Sequence, residues 1–185
     1  ALVRRLASEG CEVITATRKE LDLTRQSETE AWLAKVKPDA MFVAAARVGG
    51  ILANSQRPAE FLYENLAIET NLIQAAYRTG VKKLLFLGSS CIFPRNAPQP
   101  MREEYLLTGP LEPTNAAYAI AKIAGIKMCE AYRTQYACDF ISAMPTNLYG
   151  YGDRYDLTQG QVAAAMIMKV HAAKTSGEAT LEIWG

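Results

Sequence analysis

Histidine is nearly missing from this chain: its 185 residues include one, His171. The four cysteines, Cys11, Cys91, Cys129 and Cys138, show neither paired nor metal-type spacing. With so few soft ligands no metal site is expected, and reduced thiols in a cytosol are the simplest account of the cysteines. No apolar run approaches the ~18 residues of a membrane helix, and no signal peptide is visible. Charge of one sign is not in excess either. A formal charge of +1 gives no electrostatic case for nucleic acid or for an anionic membrane. A G-x-G-x-x-G or related glycine spacing is absent, so the usual turn that cradles a pyrophosphate is not in the sequence. The chain opens at Ala1 on a helix-like stretch and ends on Leu181–Gly185, which reads as a strand with nothing after it. Both ends suggest a fragment.

Half of the residues are hydrophobic, enough for one soluble globular domain with a real core. Apolar runs alternate with helical patterns. Residues 1–9 read as a helix tail closed by Gly10. Glu12–Ala16 is a β-rich run. Ser27 and Glu30 match a capping box for a helix to about Lys35, which Pro38 stops. Ala40–Ala44 is the next strand. The small residues Gly49 and Gly50 after it either let a ligand approach the backbone or merely make a turn. Pro58 opens a long helix to about Thr79, with Phe61, Asn65, Ile68 and Leu72 on one stripe. Asn65 is the polar member. It either bonds backbone at the sheet or, by doing so, also holds a lysine through water. Leu84–Leu87 is a buried strand, Pro113–Tyr136 a helix, Phe140–Ala143 a strand, Gln161–Lys174 a helix and Thr180–Trp184 a last strand. This alternation predicts an α/β fold, a doubly wound parallel sheet.

The chemistry gathers at one strand tip. Gly88, Ser89, Ser90 and Cys91 follow Leu84–Leu87, at the carboxyl end where open α/β sheets place ligands. Tyr118 and Lys122 lie four residues apart on a helix and so share a face. A hydroxyl, a phenol and an ammonium that converge can donate a proton to a carbonyl. Bringing a phenol from ~10 toward neutrality takes about 3 units, or ~4 kcal/mol, which a nearby cation would supply. The pair alone is weak evidence; the strand with its serines about thirty residues upstream gives it weight. Cys91 is either a proton-transfer thiol or a small buried hydrophobe. Arg18 follows the β-rich run, where dinucleotide folds meet the adenosine ribose. A basic residue there suits a 2′-phosphate, hence NADP(H), unless it is only a solvated surface arginine.

Several long runs carry a resemblance: Ala44–Asn54, Lys83–Pro94, Leu111–Asn115 with Tyr118–Lys127, and Met144–Gly150. On these the chain resembles the extended short-chain dehydrogenase/reductase family, in its branch acting on nucleotide-linked keto sugars. The resemblance implies a Rossmann-like sheet truncated at its first strand and glycine loop and lacking most of a C-terminal substrate domain. Residues 1–185 would form a partial NADP-binding domain, with a substrate-binding region beginning near 151–185. It implies an NADPH-dependent enzyme that moves protons at C3 and C5 of a nucleotide sugar and reduces C4, working as a homodimer. Ser89 and Tyr118 would bond the C4 oxygen, with Tyr118 as acid. Lys122 would hold the nicotinamide ribose and lower the Tyr118 pKa. Cys91 would transfer protons. Leu87, Gly88, Ser89 and Ser90, with Pro145, Thr146, Asn147 and Leu148, would line the cofactor. Lys169 and Trp184 would contact the substrate diphosphate and nucleotide. By count, Gln161 stands beside the cofactor where the family has a histidine that partners the cysteine. An amide exchanges no proton near neutral pH, so weak epimerisation is expected. His171 reads as a surface residue. A related nucleotide-sugar reductase or epimerase, or a catalytically dead nucleotide-binding remnant, are the competing readings.

Overall fold

The structure is a computed structural model that describes residues 1–153, 155–156 and 162–181. It divides into two units, 1–146 and 147–185. The first holds a parallel sheet of three strands, β1 (Ala40–Val43), β2 (Lys83–Leu87) and β3 (Asp139–Ala143), in the order β1-β2-β3. Each crossover is a helix, as parallel pairing requires. The six described helices are α1 (Leu2–Ala7), α2 (Gln26–Val36), α3 (Ile51–Gln56), α4 (Pro58–Thr79), α5 (Ala116–Tyr136) and α6 (Val162–Ser176). The α/β class and the parallel sheet expected from the sequence are what the chain forms.

The register shows why the core lies where it does. Val43 pairs with Phe86, and Leu84 with Phe140, so these four side chains share one face of the pleat. All are buried. Leu72, Ile73 and Ala76 of α4 and Ile123, Ile126 and Cys129 of α5 pack on them. Burying a side chain such as Phe86 stabilises by about 1.5–3 kcal/mol. On the opposite face Phe42 and Ile141 remain exposed.

Helix ends follow their signals in most places. Pro58 begins α4, and Gly80, with φ of 76°, closes it in the left-handed region that glycine tolerates. Lys37 closes α2 just before Pro38, also left-handed, with φ of 44°. Two expectations are corrected. Glu12–Ala16 forms no strand; β-rich sequence becomes sheet only beside a hydrogen-bonding neighbour, and none of the described strands pairs with it. The Ser27/Glu30 capping box does not form, because α2 begins at Gln26 and carries no side-chain cap. The chain turns earlier, where Asp22 accepts from the amide and hydroxyl of Thr24, and Gln26 donates to Glu30. The glycine stretch after β1 runs into α3, a helix that the apolar pattern did not announce. The last expected strand lies mostly outside the described residues; Thr180 and Leu181 are irregular.

Candidate active site

Backbone geometry at the end of β2 sets the site. The Gly88 amide donates to the Ala143 carbonyl at 2.8 Å, which carries the ladder one step past the strand. A Cβ on Gly88 would come within 3.2 Å of Ile126, so glycine lets α5 lie close here. Ser89 stays extended and Ser90–Ile92 then turns in a short 3-10 segment. This turn puts the Cys91 Sγ 3.3 Å from the Ser89 Oγ. From α5, Lys122 reaches under the strand tip, and its Nζ donates to the Leu87 carbonyl at 3.0 Å. The ammonium also sits 4.6 Å from the centre of the Phe86 ring and 5.9 Å from that of Tyr118. Ser89, Cys91, Tyr118 and Lys122 thus come together across thirty-odd residues of sequence. Lys122 is only 3% exposed, so its charge lies in a poorly solvated place.

Burial dominates the electrostatics. The Tyr118 phenol is pushed up to about 12, chiefly by desolvation and secondarily by the Cys91 and Glu69 groups, with the Ser89 hydroxyl pulling the other way. An acidified phenol, as the Tyr118/Lys122 spacing suggested, is therefore not what this structure holds. The lysine directs its charge to the Leu87 carbonyl and the Phe86 face instead. The Cys91 thiol is likewise raised by burial, against the Ser89 hydroxyl and the Lys122 charge. Both groups keep their protons at neutral pH. Lys122 is itself lowered by desolvation.

Other expected site residues are placed as follows. Arg18 is exposed and pairs with Glu64 at 3.2 Å. Leu87, Gly88 and Ser90 stand at the strand tip with Ser89. Pro145 and Thr146 follow β3 in the first unit, whereas Asn147, Leu148 and Lys169 belong to the second, Lys169 on α6. Gln161 and Trp184 lie outside the described residues. His171, on α6, is exposed, as expected. Asn65 spends its amide on backbone: Oδ1 accepts from the Arg47 amide at 2.8 Å, and Nδ2 donates to the carbonyls of Arg47 and Phe61. That is the first of its two readings.

Sequence reasoning missed Glu69. One turn beyond Asn65 on α4, it is 2% exposed, and among the described residues no side chain hydrogen-bonds its carboxylate, which has the Gly125 backbone close enough to favour the charge. Burial pushes its carboxyl up to about 8, with the Lys122 ammonium acting against the rise. Its position on the buried stripe of α4 was the available signal. Gly125 was missed as well. A Cβ there would fall 2.4 Å from the Phe86 ring, so this glycine is what lets α5 close over β2.

Hydroxyl, phenol, thiol and ammonium thus gather at the carboxyl edge of a parallel sheet, where open α/β folds take their ligands. The chain belongs to the NAD dependent epimerase/dehydratase family, whose sequence pattern matches residues 1–185. Within it, the chain is 62% identical over its whole length to a GDP-L-fucose synthase of Sinorhizobium fredii, covering 59% of that protein. A GDP-L-colitose synthase of Yersinia pseudotuberculosis is 40% identical over 96% of this chain and 58% of its own. Among solved structures, a GDP-mannoheptose C4 reductase from Campylobacter jejuni with NADP bound matches 96% of this chain and 54% of its own, at 39% identity and a TM-score of 0.88. The chain thus spans under three-fifths of the length of the relatives it matches.

Proposed function

We propose that the protein carries out NADPH-dependent 3,5-epimerisation and 4-keto reduction of GDP-4-keto-6-deoxy-D-mannose, giving GDP-L-fucose. The observation that carries this is the meeting of Ser89, Cys91, Tyr118 and Lys122 at the tip of β2. The relatives' names supply the sugar.

The residues suit a phosphorylated dinucleotide. Arg18 is an exposed cation, and Lys122 uses one N–H on Leu87, which leaves two to donate to ribose hydroxyls. NADPH, when bound, supplies the hydride for C4. Everything else falls to the chain. Ser89 and Tyr118 donate hydrogen bonds to the C4 oxygen, and Tyr118, which is protonated at neutral pH, gives it the proton. A carbonyl so polarised makes the protons at C3 and C5 acidic, and the same two donors stabilise the negative charge on oxygen as each leaves. The thiolate form of Cys91, two residues from Ser89, takes each of those protons and the thiol so formed gives one back; burial raises the thiol and keeps that form scarce at neutral pH. The first unit serves as the NADP-binding part, and the substrate region begins at about residue 151, with Lys169 the expected contact for the substrate diphosphate and Trp184, outside the described residues, for its nucleotide. Tyr63, Ile120 and Tyr136, exposed on α4 and α5, favour pairing of these helices in a homodimer.

Tyr118→Phe tests the proposal: NADPH oxidation with the keto sugar should fall below about 1% of wild type, since a lost general acid costs about 10²–10⁴ in rate. Near-normal reduction would refute it. The colitose-type relative favours a second reading, a sister reductase of another GDP-keto sugar. Product analysis with both sugars separates the two.

A further inference from the structure

Arg18 stands within one ion network that the cofactor reading leaves unexplained. Glu64, on the second turn of α4, takes Arg18 on one oxygen at 3.2 Å and Arg47 on the other. Arg47 also reaches Glu60 at 2.6 Å and lies 5.3 Å from the centre of the Phe61 ring. Its backbone is clamped by Asn65 on both sides. Glu64 and Arg47 are thus fixed and mostly covered, with side chains 17% and 21% exposed, whereas the Arg18 side chain is 75% exposed. Two guanidinium groups and two carboxylates sum to zero charge, and Asp22 also feels the Arg18 field. This is a poor attractor for a dianion. A free arginine would serve a 2′-phosphate better.

We propose that Glu64 is the residue that limits the preference for a 2′-phosphorylated dinucleotide, by holding Arg18 and repelling the phosphate that must share it. The inference rests on the NADPH reading above. A phosphate bound on the open side of Arg18 would share its guanidinium with the Glu64 carboxylate, which sits 3.2 Å from it on the other side. At a surface dielectric, with salt screening, that repulsion weakens binding about ten-fold. NADH lacks the phosphate and escapes it. The consequence is a protein that uses both nucleotides, with a modest margin for NADPH.

The test is titration of NADPH and NADH against wild type, Glu64→Gln and Arg18→Ala. Glu64→Gln should tighten NADPH about ten-fold and move NADH less than about two-fold, and the gain should shrink as salt rises. A purely structural role would shift both nucleotides together, and that result overturns the inference. If Arg18→Ala weakens NADPH while Glu64→Gln leaves it unchanged or weaker, the inference falls and the cofactor reading stands. If Arg18→Ala leaves NADPH unchanged, or wild type binds neither nucleotide, the cofactor reading falls and takes the inference with it. Glu64→Ala removes the same charge and serves if the Gln variant misfolds.

Discussion

Glu69→Gln keeps the shape of a buried side chain and removes its proton equilibrium. In the folded chain the Glu69 carboxyl is raised from 4.5 to about 8, first by burial. The unfolded chain ionises it near the ordinary value. Between these two limits the unfolded state has released a proton that the folded state still holds, so stability falls as pH rises. Glu69 therefore leaves the fold fully stable below pH 4.5 and costs progressively more up to pH 8. An interval of about 3.5 units at ~1.4 kcal/mol each sets a ceiling of about 5 kcal/mol. The lowered carboxylates Glu20, Asp22 and Asp39 act below pH 4.5. The raised thiols begin to matter only as pH nears 9. Lys122, lowered from 10.5 by desolvation, acts with the opposite sign, adding stability as pH climbs toward 10.5, which is why the comparison with Glu69→Gln, and not wild type alone, carries the test. Urea unfolding followed by far-ultraviolet circular dichroism at pH 5.5 and pH 8.0 measures the difference. Wild type should lose a few kcal/mol over this interval, and Glu69→Gln should be flat. A wild-type midpoint that stays constant, or a variant that tracks it, refutes the reasoning.

Three further outcomes are expected. Gly125→Ala should destabilise by about 1–3 kcal/mol in urea unfolding, because the overpacking against Phe86 outweighs the better helix propensity of alanine; unchanged stability would mean the ring yields without cost. Lys122→Met should abolish carbonyl reduction yet leave the fold as stable or more so at neutral pH, since it removes a buried charge; retained reduction would exclude the lysine from the site. On the reading that Gln161 stands where the family has its histidine, solvent deuterium should enter C3 and C5 of the sugar about 10²–10⁴ times more slowly than a histidine-equipped site allows; incorporation at ordinary enzymatic rates would contradict that reading.

Much of this was legible from local pattern. The strand before Ser89 and the long helices opened by Pro58 and containing Tyr118 showed in their apolar period, and Gly80 and Pro38 marked helix ends. Convergence of Ser89, Cys91, Tyr118 and Lys122 was legible because a strand tip and a crossover helix can meet in few ways. Acidity was not. A lysine one turn from a tyrosine predicts attraction, but desolvation of both outweighs it once α5 closes on β2, and sequence spacing carries no measure of burial. Glu12–Ala16 failed for a related reason, since extended structure depends on a partner strand. Glu64 and Arg47 looked like ordinary surface charges, because their pairing spans seventeen residues and a strand-to-helix loop.

The lysine tether at the tip of β2 rests on a main-chain carbonyl rather than on any side chain. No substitution at position 87 can delete that acceptor, because every amino acid carries it. Drift at Leu87 is thus free to retune the neighbouring surface while the ammonium stays moored, and only a shift of the strand itself can set it loose.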